Sequence, residues 1–546
     1  MSRARAAEGG WLFVGGRVLD APRAARAGRG GARGTRPAAR SGGEAVLVRG
    51  ERIEAVGPRS SLERMAGRRV RRVNLRGGTL TPGFVDSHIH LLTWIRALGE
   101  GRLEEQTPEG LGAAVRRALR GARAGDWITV RGWVPREWPR ELKRRSTLDG
   151  ILSDRPLILY AVDGHSVWAN GAALQMAGIG ARTANPPGGV VEREPGGEPT
   201  GVLAEEAADL LRPLVPRARD AADDLARAIR TALSLGITSA HDFDRSEIWK
   251  AAQSLHARSG LPFRLLLSIP AAKLESAESL EIRTGFGDRR LRVGPVKLFA
   301  DGTLGSATAL LEEPYEGSES RGIEVTAPEA LTDRCARARA AGLGVAIHAI
   351  GDRAVRNALD AIEAATAGGR RFPIPPRIEH IQLAREEDLT RFKRLGALAS
   401  VQPAHLLTDR EVARRHWGAR TVRSYAWKSL ARAGARLLFG SDAPFDRPGP
   451  LLALEAALLR RRAGEADRAA FHPEQRLTLA QSLRAHVEEP HRAAGWGIPL
   501  GRIQPGWGAD LVAFDQDLLE MGPGALAHAQ VAGVWVGGAA AHGKLL

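Results

Sequence analysis

A chain of 546 residues with 43% apolar and 26% charged side chains has ordinary globular composition and ample length for a buried core, and its single cysteine, Cys335, excludes a disulfide framework or a thiolate-built metal site. The formal charge of +17 invites a nucleic-acid reading, but six of the arginines (Arg23, Arg26, Arg29, Arg33, Arg36, Arg40) crowd the Gly/Ala/Arg/Pro stretch Ala21 to Gly43, which has no hydrophobic period and reads as a disordered insertion. No nucleic-acid-binding signature accompanies the charge, no signal-peptide core opens the chain and no apolar run approaches the ~18 residues of a membrane span, so the expectation is a cytoplasmic protein with neither nucleic-acid nor membrane partners.

In chain order, β-rich runs come first at Trp11 to Leu19 and Ala45 to Val56, and matching runs close the chain at Asp510 to Phe514 and Val531 to Val536. Between them lie eight short apolar runs: Phe84 to His88, Ile237 to His241, Phe263 to Ile269, Val293 to Phe299, Leu343 to His348, Arg377 to His380, Ala397 to Gln402 and Leu437 to Asp442. Helical patterns such as Pro328 to Ala340 and Ala354 to Ala364 alternate with them, which predicts an α/β fold of the (β/α)8 TIM-like barrel type. The rival, an open doubly wound sheet, lacks a Gly-x-Gly-x-x-Gly loop after its first strand. Leu91 to Gly236 is far too long for one βα connection and predicts a large inserted subdomain, about 91–236, with strands of its own at Trp127 to Trp133 and Pro156 to Ala161. Because it leaves the barrel where such folds place their active sites, it reads as a substrate-covering element.

The chemistry-bearing residues collect at the ends of those runs. His88 and His90 are two apart on the first strand and can chelate one ion. His348 ends the fifth run, His380 the sixth and Asp442 the eighth, while Lys297 lies on the fourth. Any one of these histidines, or His241 at the end of the second run, is more often a satisfied core residue than a ligand. Together they converge on the mouth of a barrel, and imidazole and carboxylate donors without thiolate suit Zn²⁺, with Mn²⁺, Fe²⁺ and Co²⁺ open.

At this point the sequence resembles the amidohydrolase superfamily, on the motif Pro82-Gly83-Phe84-Val85-Asp86-Ser87-His88-Ile89-His90. More narrowly it is similar to the amidohydrolase-3 branch that includes N-substituted formamide deformylases, through Gly132-Trp133, Asp163-Gly164-His165, Val296-Lys297, Ala346-Ile347-His348, Arg377-Ile378-Glu379-His380, Ser400 to His405 and Gly440-Ser441-Asp442. The resemblance implies a binuclear hydrolase in which His88, His90 and Asp442 hold one divalent ion, His348 and His380 hold the other, and Lys297 bridges them as an N6-carboxylysine. It also implies attack by a metal-bridging hydroxide, with Asp442 carrying the proton to the leaving amine. Its substrate would be a small linear N-substituted amide or formamide, contacted by His165 with Trp133 and Asp163 behind it. Trp133 can equally pack the insertion, and Asp163 can cap a turn with Gly164. Asp301 and His405 stand beside motif strands, where they can line the pocket or orient ligands.

The expected architecture is therefore a barrel over 81–498 including the insertion, with a small β-sandwich composed of 1–80 plus 499–546. Two alternatives stay open: opening of a cyclic amide, and a catalytically silent barrel serving as a scaffold. A homo-oligomer is compatible with all three. Two features depart from the branch pattern: the Arg/Gly stretch, and His486-Val487-Glu488-Glu489-Pro490, where Pro490 is expected to end a helix early.

Overall fold

Apolar runs with both faces covered are what parallel barrel strands require, and eight of them pair in sequence order. They are β1 (Phe84–Ile89), β2 (Ile237–Asp242), β3 (Arg264–Pro270), β4 (Leu291–Phe299), β5 (Val345–Ala349), β6 (Arg377–His380), β7 (Leu398–Val401) and β8 (Arg436–Phe439). The structure is a computed structural model that describes residues 10–22, 44–98, 101–120, 122, 125, 127–162, 164–215, 220–465, 467 and 469–545. The stretch expected to be disordered lies, from 23 to 43, outside the described residues, as does Asp163.

The eight-stranded sheet closes on itself just beyond its last strand, where Asp442 N–H donates to His88 O at 2.6 Å and His90 N–H donates to Ala443 O at 3.0 Å. This corrects one expectation. Asp442 does not end the eighth strand, which stops at Phe439. Gly440 lies so close to β1 that a Cβ there would stand 2.5 Å from His88 N, so the chain peels away at that point and Asp442 turns back with φ +58°.

Helices Pro328–Ala340 and Asp352–Thr366 follow β4 and β5, and their buried faces join the barrel core through residues such as Leu331, Val355, Leu359 and Ile362. Pro490 does not end its helix. Leu479–Leu483 runs through a π-helical stretch, Arg484–Glu488, into Glu489–Ala494, and Pro490 falls in the first turn of that last piece, where a missing N–H is tolerated. The widened stretch carries His486, whose Nδ1–H donates to Val85 O of β1 at 2.9 Å.

The chain ends form two further sheets. One orders Arg52–Pro58, Glu44–Arg49, Trp11–Val14 and Arg71–Asn74; the other orders Arg17–Val18, Thr79–Pro82, Leu511–Phe514, Val531–Val536 and Ala539–Gly543. They share a core in which Trp535 meets Phe13 edge-on at 4.7 Å and Trp11 at 5.8 Å. Thr79–Pro82 continues almost directly into β1, so the sandwich anchors the strand that carries the first two histidines.

Residues Thr93–Asp220 form a second compact unit, whose C-terminal limit falls short of the expected 236 because helix Ala221–Ser234 clusters with the barrel. This unit holds a six-stranded sheet ordered Gly189–Arg193, Pro199–Glu205, Ser166–Ala169, Leu157–Ala161, Ile128–Trp133 and Gly101–Arg102. Among the described residues, no helix is long and apolar enough to cross a membrane.

Candidate metal centre

His88 and His90 sit two apart at the end of β1, where strand alternation turns both side chains the same way. Across the closure, Asp442 Oδ1 lies 3.4 Å from His88 Nε2 and 3.2 Å from His90 Nε2. β5 delivers His348 and β6 delivers His380, whose rings are centred 4.5 Å apart, and the His380 ring is 5.0 Å from that of His88. Among the described residues, donor atoms of His88, His380 and Asp442 fall within 4.8 Å of one another, the one such grouping of three.

Lys297 rises from β4 with its Nζ 4.6 Å above the Phe243 ring and 5.1 Å from that of Phe299. Burial pushes its ammonium down to about 8. Burial, reinforced by the Lys297 charge, also holds His88 down at about 4 and His348 at about 3, and burial beside His348 takes His380 well below the ordinary histidine range. These imidazoles are therefore neutral, as ligands must be. Burial alone would raise the Asp442 carboxyl, but hydrogen bonding from the His405 and His90 imidazoles holds it well below the usual range.

The donor set fits a divalent ion. Tetrahedral ligands 2.0–2.1 Å from one ion stand about 3.3 Å apart, the spacing found from Asp442 Oδ1 to each of the two Nε2 atoms, although it is His380 and not His90 whose donor atom lies within 4.8 Å of both His88 and Asp442. Asp442 Oδ1 and His380 Nδ1 are buried without a well-directed hydrogen bond among the described residues, lone pairs that a cation would satisfy. His348 donates Nε2–H to Gly302 O at 2.9 Å, which leaves its Nδ1 as the free lone pair.

The other expected residues fall elsewhere. Of the two places open to Asp301, the hydrogen bonds favour orienting a ligand: its carboxylate accepts Leu310, Ile350 and Gly351 N–H at 2.9–3.0 Å and so fixes the backbone beside His348. His405 stands between Asp446 (Nδ1, 3.0 Å) and Asp442 (Nε2, 3.4 Å). In the inserted unit, Trp133 is 0% exposed, packed against Trp168 with ring centres 5.4 Å apart, so a substrate contact through its buried ring is not what the structure offers. His165 is half-exposed and pairs with Glu205 at 2.8 Å.

Sequence reasoning missed the support beneath the histidines. Glu379 accepts from His88 Nδ1 at 2.7 Å, Arg377 clasps Glu379, and Asp86 accepts Ser441 N–H at 2.9 Å and His88 N–H at 3.2 Å, tying β1 to the segment after β8. The available signal was the polarity of a fully buried four-residue strand, Arg377-Ile378-Glu379-His380, in which Ile378 is the one apolar residue. His241, which the sequence left without a role, accepts Arg377 Nη1–H on its Nδ1 at 2.8 Å, and this occupies the one lone pair of a neutral imidazole.

Comparison with known proteins identifies the family. A model of the amidohydrolase family matches residues 71–542. The chain is 35% identical over 491 residues to Protein LONG AFTER FAR-RED 3 of Arabidopsis thaliana, covering 86% of this chain and 83% of that protein. It is 27% identical over 521 residues to the N-substituted formamide deformylase of Arthrobacter pascens, covering 91% and 94%. Among solved structures, an uncharacterized metal-dependent hydrolase from Pyrococcus horikoshii OT3 superposes with a TM-score of 0.74 at 26% identity, over 94% of this chain and 99% of that one. On its eight-stranded barrel, its converging histidines and a family match that spans most of its length, the chain belongs to the amidohydrolase family, enzymes that hydrolyse carbon–nitrogen bonds other than peptide bonds.

Proposed function

We propose that the chain hydrolyses a linear N-substituted amide or formamide at a binuclear zinc centre. The observation that carries the reading is the approach of two Nε2 atoms, from His88 and His90, to the buried Asp442 Oδ1 at 3.4 and 3.2 Å. His88, His90 and Asp442 would hold one ion, His348 and His380 the second, and Lys297 would bridge them as a carbamate. When bound, the ions supply Lewis acidity toward the substrate carbonyl and acidify a coordinated water.

The protein's own groups do the rest. A carbamate forms only on a neutral amine, and burial, by lowering the Lys297 ammonium to about 8, keeps a usable fraction neutral near physiological pH. Asp442, held as a carboxylate, accepts the proton of the attacking water and returns it to the leaving amine. His405 steadies that carboxylate from the side opposite β1, braced by Asp446. A linear rather than cyclic substrate is supported by the likeness, over 94% of its length, to a protein named as an N-substituted formamide deformylase. The domain limits that go with this reading are a sandwich of 1–80 plus 499–546 and a barrel of 81–498.

Elemental analysis of purified protein tests the centre. Two zinc ions per chain are expected, falling in His348→Ala and Lys297→Ala, and release of amine from N-formyl and N-acyl amines should exceed ring opening of hydantoins at least tenfold. One ion that survives Lys297→Ala removes the bridge; no metal under chelator-free preparation overturns the centre.

A further inference from the structure

In a strand, neighbouring side chains point to opposite faces, yet Glu379 and His380 both reach the histidine cluster. Glu379 Oε2 is 2.7 Å from His88 Nδ1, and the His380 ring lies 5.0 Å from the His88 ring. The backbone makes this possible by breaking alternation: His380 has φ +76° and Ile381 φ +49°, conformations that cost a non-glycine residue free energy and persist only where the surroundings enforce them.

Glu379 is itself clamped. Arg377 Nε–H and Nη2–H donate to its two oxygens, and the same guanidinium donates to Ser87 O at 2.6 Å, Ser400 Oγ at 2.8 Å and His241 Nδ1 at 2.8 Å. Glu379 and Arg377 are at most 2% exposed. A guanidinium has no acceptor and a carboxylate no donor, so the hydrogen-bond directions along this chain are fixed from one end to the other. His241 accepts and carries its proton on Nε2. Glu379 accepts from both sides, so His88 carries its proton on Nδ1 and presents Nε2 as a lone pair toward Asp442 and His90.

We propose that Glu379 is a positioning residue that sets the tautomer and ring orientation of His88 for metal binding, with Arg377 and His241 holding Glu379 in place. The inference rests on His88 being a ligand, as put forward above. Carboxylates in this relation to a ligating histidine typically contribute ten- to a hundredfold in metal affinity.

Two measurements on the full-length chain test it. The first needs no variant: in metal-free protein with ¹⁵N-labelled histidine, long-range ring spectra, assigned against His88→Asn, should show His88 protonated at Nδ1 with Nε2 bare. A ring protonated at Nε2 overturns the proposal. The second is zinc affinity by competition with a chromophoric chelator, where Glu379→Gln should bind ten- to a hundredfold more weakly with wild-type stoichiometry. Affinity within twofold of wild type overturns the Glu379 role alone and leaves the metal centre standing. A wild-type chain that binds no zinc overturns the metal centre and the Glu379 role with it. If Glu379→Gln fails to fold because Arg377 is left unpaired, the wild-type ring spectrum decides.

Discussion

Two buried charge clusters in the barrel unit have opposite states of completion. Where β3 meets the C-terminal sheet, Arg264 Nε and Nη2 donate to the Asp510 oxygens at 2.6 and 2.9 Å, and Gly537 N–H adds a third bond to Asp510 at 2.7 Å, with both side chains about 1% exposed. Desolvation there is answered by paired charge and well-directed hydrogen bonds. At the mouth of the same barrel, Asp442 Oδ1 and His380 Nδ1 are buried without a well-directed hydrogen bond among the described residues, Asp442 Oδ1 meeting the His90 and His88 Nε2 atoms at 3.2 and 3.4 Å. The first cluster is closed and holds two sheets together; the second withholds lone pairs for something to be bound.

Breaking each cluster should therefore separate activity from stability. The largest effect is expected for Asp442→Asn, which should lower kcat/KM about ten-thousandfold while the urea midpoint stays near that of wild type; a loss under tenfold would take Asp442 out of the chemistry. Next, Asp510→Ala leaves the Arg264 guanidinium buried and unpaired and should cost about 3–5 kcal/mol in urea unfolding. The zinc content of the folded fraction should stay at the wild-type value, and a parallel loss of zinc would show that the two clusters are not independent. The smallest effect is on pH dependence. Arg264 draws the Asp510 carboxyl from 3.8 down to about 2 against the opposing effect of burial. A depressed carboxyl stabilises the fold above its unfolded value and loses that contribution as the pH falls through its folded value. Metal-free wild type should thus lose about 2 kcal/mol relative to Asp510→Asn between about pH 4 and pH 2. A gap between the two midpoints that stays constant across that window would contradict the pairing.

The parts legible in the sequence were those set by local pattern. All eight barrel strands overlap the runs read from the sequence. His88, His90, His348, His380 and Asp442 were singled out because each stands at or just past the end of such a run. What escaped depended on backbone turns and on distant partners. Asp442 and His380 were singled out, but the turns that place them, at φ +58° three residues beyond β8 and at φ +76° after Glu379, leave no mark on hydrophobic period. The Arg377 bond to His241 joins residues 136 apart, and nothing local to either announces the other. Pro490 misled because a π-helical stretch upstream accommodated it.

The sandwich at the chain ends also sets a schedule for biosynthesis. Thr79–Pro82 pairs antiparallel with Leu511–Phe514, so Thr81 must find Val512, 431 residues downstream. At roughly 5–20 residues per second of elongation, the strand that leads directly into β1 waits on the order of half a minute or more with one edge bare. An exposed edge of this kind is an invitation to pair with the wrong chain. A ribosome that stalls or terminates before Leu511 would release a molecule carrying every expected ligand yet lacking the strand that covers this edge. For this protein, premature termination should therefore be seen first as aggregation and only secondarily as lost catalysis.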